Sequence, residues 1–130
     1  MPYILIIDDV VELRHTLAEL LGFEGFDVRE SENPLDAYAC MVQCRPDIIM
    51  IDLGFADYDG IDFIRRVRCN PLFATIAIIA ISSFSDAVHI AEALSCGAND
   101  YLVKPFIATT MLDSIQNLIA PAAPYALTAN

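Results

Sequence analysis

The chain has 130 residues, 56% of them apolar, and a formal net charge of −11. That length suits one domain with a substantial core. So acidic a surface repels phosphate backbones, which argues against direct nucleic-acid binding, and no apolar run approaches the about 18 residues of a membrane span. No basic n-region or small-residue cleavage site accompanies the first apolar run, so no secretory leader is read and a cytoplasmic location is expected.

Tyr3-Ile4-Leu5-Ile6-Ile7 is a continuous apolar run ending in Asp8-Asp9, as a strand buried on both faces requires. Val10 to about Glu24 carries Val10, Leu13, Leu17, Leu20 and Leu21 at helical spacing, with Asp9 and Glu12 expected as an N-terminal capping pair and Gly25 as the stop. Phe26–Glu30 alternates and reads as an edge strand. Pro34–Cys44 reads as a second helix. Asp47–Ile51 is a third strand delivering Asp52, and a loop to Gly60 leads into a helix over Ile61–Cys69 that Asn70-Pro71 ends. Ile76–Ile81 is a fourth strand delivering Ser82, and Ala87–Cys96 is a helix closed by Gly97. Tyr101–Val103 is a fifth strand ending at Lys104-Pro105, and Ala108–Ile119 is a last helix.

Strands and helices alternate five times, which dictates a parallel sheet covered on both faces through right-handed crossovers. Residues 1–120 are assigned to this domain and 121–130 to a short, poorly ordered tail. The start at Met1 mildly favours a stand-alone module over a fragment. Cys40, Cys44, Cys69 and Cys96 form no C-x-x-C pair, and packed, reduced thiols are expected.

In an open α/β sheet, ligands bind beyond the carboxyl ends of the strands. Those ends deliver Asp8 and Asp9, Asp52, Ser82 and Lys104, the chain's single lysine. Three carboxylates in one crevice repel one another unless their pKa values rise or a cation joins them. Oxygen ligands of this number suit a hard ion such as Mg²⁺. An ammonium and a hydroxyl suit the oxygens of a phosphoryl group, so the set is equipment for phosphoryl transfer. His15 and His89 sit in helical patterns and are read as surface or packing residues.

Ile6-Ile7-Asp8-Asp9, Ile49-Met50-Ile51-Asp52-Leu53, Ile79-Ala80-Ile81-Ser82 and Gly97-Ala98-Asn99-Asp100-Tyr101-Leu102-Val103-Lys104-Pro105-Phe106 together resemble the receiver domain of two-component response regulators, over about residues 3–119. The resemblance implies a flavodoxin-like three-layer sandwich with strand order 2-1-3-4-5. It makes Asp52 the phosphoacceptor and assigns the metal (Mg²⁺ or Mn²⁺) to Asp8, Asp9, Asp52 and the Gly54 backbone carbonyl, with Asp9 preferred as the direct ligand. Ser82 matches the switch hydroxyl, Lys104 the lysine that pairs with the phosphoryl group, and Tyr101 the aromatic that swings inward. Lys104-Pro105 is expected to be cis.

The implied partners are a sensor histidine kinase or histidine phosphotransfer protein as donor, and a downstream protein read through the face of the fourth helix, fifth strand and fifth helix. The implied state is a monomer or a phosphorylation-dependent homodimer. The chain is then no turnover enzyme, catalysing only its own phosphoryl transfer and self-dephosphorylation. Departures are Phe55-Ala56 after the acceptor, Ala77, Ser83, the bulky Phe84 and Gly54, which lacks a side chain to guide water. Slow self-dephosphorylation is expected from the last two. An aspartate-nucleophile phosphatase lacks its second acid at Gly54, and a flavin module would find Asp8-Asp9 repelling its phosphate. A never-phosphorylated pseudo-receiver is the alternative carried forward.

Overall fold

The computed structural model describes residues 2–54 and 59–119. They fold as β1 (Tyr3–Ile7), α1 (Val11–Phe23), β2 (Asp27–Ser31), α2 (Pro34–Gln43), β3 (Ile48–Asp52), α3 (Gly60–Cys69), β4 (Ala77–Ser82), α4 (Ala87–Cys96), β5 (Asp100–Val103) and α5 (Ala108–Ile119). The strands pair in parallel in the order β2-β1-β3-β4-β5. The flavodoxin-like reading therefore holds, with β2 at an edge. The tail from residue 120 onward, and Phe55-Ala56, lie outside the described residues.

Successive strand side chains point to opposite faces, so each apolar run feeds two cores. Leu5, Ile7, Ile49, Ile51, Ile78 and Ala80 pack with Ala37 and Met41 of α2, Phe63, Ile64 and Val67 of α3, and Ala93 of α4. Ile4, Ile6, Met50, Ile79, Ile81 and Leu102 pack with Leu17 and Leu21 of α1 and Met111 and Ile115 of α5. The three inner strands are buried almost throughout, which is why they contain apolar residues at every position rather than alternating.

Three helices begin on side-chain caps. Asn33 accepts from Asp36 N ahead of α2, Asp59 from Ile61 N ahead of α3, and Asp86 from His89 N ahead of α4, each satisfying an N–H that the first turn leaves open. Helix α1 does not. Its N-cap is Val10, without a side-chain hydrogen bond, and the Val10 N–H goes to Asp8 Oδ1 at 2.9 Å. The expected Asp9–Glu12 capping pair is therefore absent. The cap position lies one residue later, and the Asp9 carboxylate instead joins the acids at the sheet end.

Gly25 and Gly97 both have positive φ, at 97° and 125°, and stop α1 and α4 as glycine's freedom permits. All four cysteines are free, but Cys44 and Cys69 are exposed rather than packed.

Candidate functional site

The register of the sheet assembles the site. Asp52 is the last residue of β3 and pairs with Ile81, while Ser82, the last of β4, pairs with Val103. Asp8 and Lys104 each follow the last residue of their strand. Backbone bonds extend the ladder into this layer: Asp8 N donates to Ser31 O at 3.1 Å, Leu53 N to Ile81 O at 2.8 Å, and Lys104 N to Ser82 O at 2.8 Å. These side chains thus hang on the hydrogen-bonded end of the sheet.

Asp8, Asp9 and Asp52 each offer a carboxylate oxygen within 4.8 Å of the others. Asp8 and Asp52 are buried and Asp9 is exposed. Lys104 Nζ donates to Asp52 Oδ2 at 2.6 Å and stands 3.9 Å from Asp8 Oδ2. The other oxygen of Asp52, Oδ1, accepts from Gly54 N at 2.8 Å. A Cβ at Gly54 would come within 3.3 Å of that oxygen, so glycine there leaves the carboxylate uncrowded. Lys104-Pro105 is cis, as expected.

Burial raises the pKa of Asp8 above the ordinary carboxylate range. Asp52 and Asp9 add to the rise, while the Val10 N–H and Lys104 oppose it. Three acids with one ammonium between them are short of positive charge. Oxygen donors so close together, two of them buried, fit a hard divalent ion that accepts few carboxylates and keeps water.

Ser82 is buried, and its Oγ accepts from Phe84 N at 3.1 Å. The Tyr101 hydroxyl donates to Phe84 O at 2.7 Å. A cleft of about 400 Å³ opens here, lined by Asp9, Asp52, Ser82, Phe84, His89 and Lys104 among others. Asp9, Asp52, Ser82, Tyr101 and Lys104, all singled out from the sequence, line this cleft, and the buried Asp8 stands beside Asp9 and Asp52.

A scan against family models matches residues 4–116 to the response regulator receiver domain. The chain belongs to the response regulator receiver family. Among curated relatives, it is 30% identical over 121 residues to the phosphate regulon transcriptional regulatory protein PhoB of Pseudomonas aeruginosa, covering 93% of this chain and 53% of that protein. It is 35% identical over 117 residues to the transcriptional regulatory protein PhoP of Escherichia coli K12, covering 89% and 51%. This receiver chain thus spans about half the length of the curated relatives it matches.

Among solved structures, a putative response regulator from Chloroflexus aurantiacus superposes with a TM-score of 0.87 at 28% identity, covering 92% of this chain and 98% of that one. The chemotaxis response regulator CheY4 of Vibrio cholerae gives 0.85 at 25% identity, covering 91% and 98%. A receiver is a module of two-component signalling, not a turnover enzyme.

Several supporting residues carry no sequence signal. Arg14, on the first turns of α1, donates from Nη1 to Asp8 O at 2.8 Å and from Nε to Glu30 Oε1 at 2.9 Å, fixing the backbone that presents the acidic pair. Arg68 donates to Gly97 O, Ala74 O, Ile76 O and Asn99 Oδ1, tying α3 to the loops that enter β4 and β5. His15 is a surface residue beside Glu30, in line with its reading. His89 is also partly exposed and packs its ring on Phe84, in line with its reading as a surface or packing residue, and it lines the cleft as well.

Proposed function

We propose that this receiver accepts a phosphoryl group on Asp52 from a phosphohistidine of a sensor kinase or phosphotransfer protein. A carboxylate oxygen of Asp52 attacks phosphorus, the P–N bond breaks, and its electron pair returns to the imidazole, leaving an acyl phosphate. Asp8 and Asp9, with Asp52 and the Gly54 carbonyl, would hold Mg²⁺ or Mn²⁺, which neutralises charge on the transferred group. Lys104 pairs with a phosphoryl oxygen, and Ser82 donates its hydroxyl to another once it leaves Phe84 N. Tyr101 and the face of α4, β5 and α5 then shift population toward the state a downstream protein reads. Val88 and Leu94 of α4 and Ile107 just before α5 are exposed apolar side chains that a partner could cover.

The observation that carries this reading is a buried Asp52 carboxylate with one oxygen 2.6 Å from the chain's single lysine and two further acids beside it. Gathering acids in a buried place carries desolvation and repulsion that a single ammonium offsets only in part. A pseudo-receiver that only binds partners gains nothing from keeping such an arrangement, so that alternative is not favoured.

Incubation with acetyl phosphate and Mg²⁺ tests the proposal by intact mass. The expected result is one added phosphoryl group, labile in base and absent from Asp52→Asn and from samples in excess EDTA. A folded wild type that takes no label from acetyl phosphate or from a phosphorylated histidine donor overturns it.

A further inference from the structure

The Phe84 backbone is held at both ends, its N–H on Ser82 Oγ at 3.1 Å and its carbonyl under the Tyr101 hydroxyl at 2.7 Å. The residue is 55% exposed. An aromatic ring in that position on a loop is free to leave the cleft mouth unless something retains it. His89 does so. Its imidazole lies parallel to the Phe84 ring, with centroids 4.2 Å apart and planes 6° from coplanar. The imidazole is itself anchored, because Nδ1 stands 2.7 Å from both carboxylate oxygens of Asp86, the N-cap of α4. Both rings line the cleft that holds Asp52, Ser82 and Lys104.

We propose that His89 is a positioning residue for the phosphorylated state: by stacking on Phe84 it keeps that ring at the cleft mouth and so slows hydrolysis of the acyl phosphate. The inference rests on the phosphoacceptor reading of Asp52. In hydrolysis a water oxygen attacks phosphorus and the bond to the Asp52 oxygen breaks. The electron pair returns to the carboxylate, and the water's proton passes to phosphate or solvent. The attacking oxygen must reach phosphorus through the cleft, which the half-exposed Phe84 lines together with Asp52. A ring pinned there blocks water, whereas an unpinned one admits it for part of the time. The effect acts on the lifetime of the label rather than on whether it forms, since neither ring supplies a charge or a proton to the transfer.

The test is decay of the acyl-phosphate label, followed by intact mass after acetyl phosphate is removed, in wild type, Phe84→Ala and three His89 variants. His89→Ala should shorten the lifetime about 3- to 10-fold, the range one ring stack can supply. His89→Phe keeps a ring without the Asp86 bond and should stay near wild type. His89→Asn keeps a donor for Asp86 without a ring and should behave like His89→Ala. Phe84→Ala should shorten the lifetime at least as much, and adding His89→Ala to it should change nothing further.

The proposal is overturned if His89→Ala decays like wild type, if the two changes multiply, or if lifetime follows the Asp86 bond rather than the ring. Circular dichroism on each variant shows that α4 is intact, and His89→Phe against His89→Asn separates the ring from the cap. A wild type that never labels overturns the phosphoacceptor reading and this inference with it. A wild type that labels but whose lifetime ignores His89 overturns this inference alone.

Discussion

Lys104 Nζ lies 2.6 Å from Asp52 Oδ2 across 52 residues of sequence, with Asp8 Oδ2 3.9 Å away. The pair is both a structural tie between β3 and β5 and a reserved site, since a phosphoryl group on Asp52 would take over the ammonium. Replacing Lys104 with Met leaves Asp52 buried among acids. The metal-free protein should lose about 1–3 kcal/mol by urea denaturation, and Mg²⁺ should restore part of the loss. Labelling by acetyl phosphate should slow without being abolished.

Asp8 gives a pH dependence whose sign can be worked out. Its folded pKa lies above the ordinary carboxylate value, chiefly through burial. The folded state therefore binds more protons than the unfolded chain, and the Asp8 contribution to stability is full below the unfolded value and lost as pH rises through the folded one. In EDTA, the wild type should gain stability from this group as pH falls from neutral into that window. Asp8→Asn should lack that part of the response and be more stable at neutral pH by about 1 kcal/mol, yet bind no Mg²⁺. Thermal unfolding at a series of pH values checks both.

On the proposed metal site, Mg²⁺ should stabilise the native state, because folding gathers three carboxylates that the unfolded chain leaves apart. At a free concentration of about 100 times Kd the gain is about 2.7 kcal/mol. It should fade as pH falls through the Asp8 window, since proton and metal compete. Asp9 is exposed and makes no hydrogen bond among the described residues. Asp9→Asn should therefore leave the melting temperature in EDTA unchanged while removing the shift that Mg²⁺ produces. An equal shift in the variant would take Asp9 out of the metal site.

Gly60 opens α3 against the backbone at the end of β3. A Cβ there would sit 2.9 Å from Leu53 Cα and 3.3 Å from Asp52 O. Both are backbone atoms, which cannot turn aside as a side chain does. Gly60→Ala should cost about 1–3 kcal/mol and slow labelling of Asp52, whereas Gly22→Ala, where a Cβ meets nothing within 4 Å, should do neither. Chemical denaturation and labelling rates of the two variants provide the comparison.

Much of the site was legible because its residues stand where a run of apolar residues stops. Ile7 hands over to Asp8, Ile51 to Asp52, Ile81 to Ser82 and Val103 to Lys104, and a parallel sheet puts all such ends at one edge. The reading failed where a polar side chain had two available partners. Asp9 stands one residue before the α1 cap and suits a capping role, but with Asp8 already bonded to Val10 N it contributes to the acid cluster. His89 has helical spacing like any surface residue, and only the loop's path brings Phe84 over it.

Local pattern by itself determined the alternation of strands and helices, the cores on both faces of the sheet and the identity of the acidic, hydroxyl and ammonium groups, because burial imposes a period on the chain that composition records. Tertiary structure alone decided that Arg14 holds Asp8, that Arg68 joins two loops, and that Ser82, Phe84, Tyr101 and His89 form one bracket. Those contacts depend on loop paths and on the packing of helices against the sheet, and hydrogen-bonding groups at such separations leave no periodic trace along the chain.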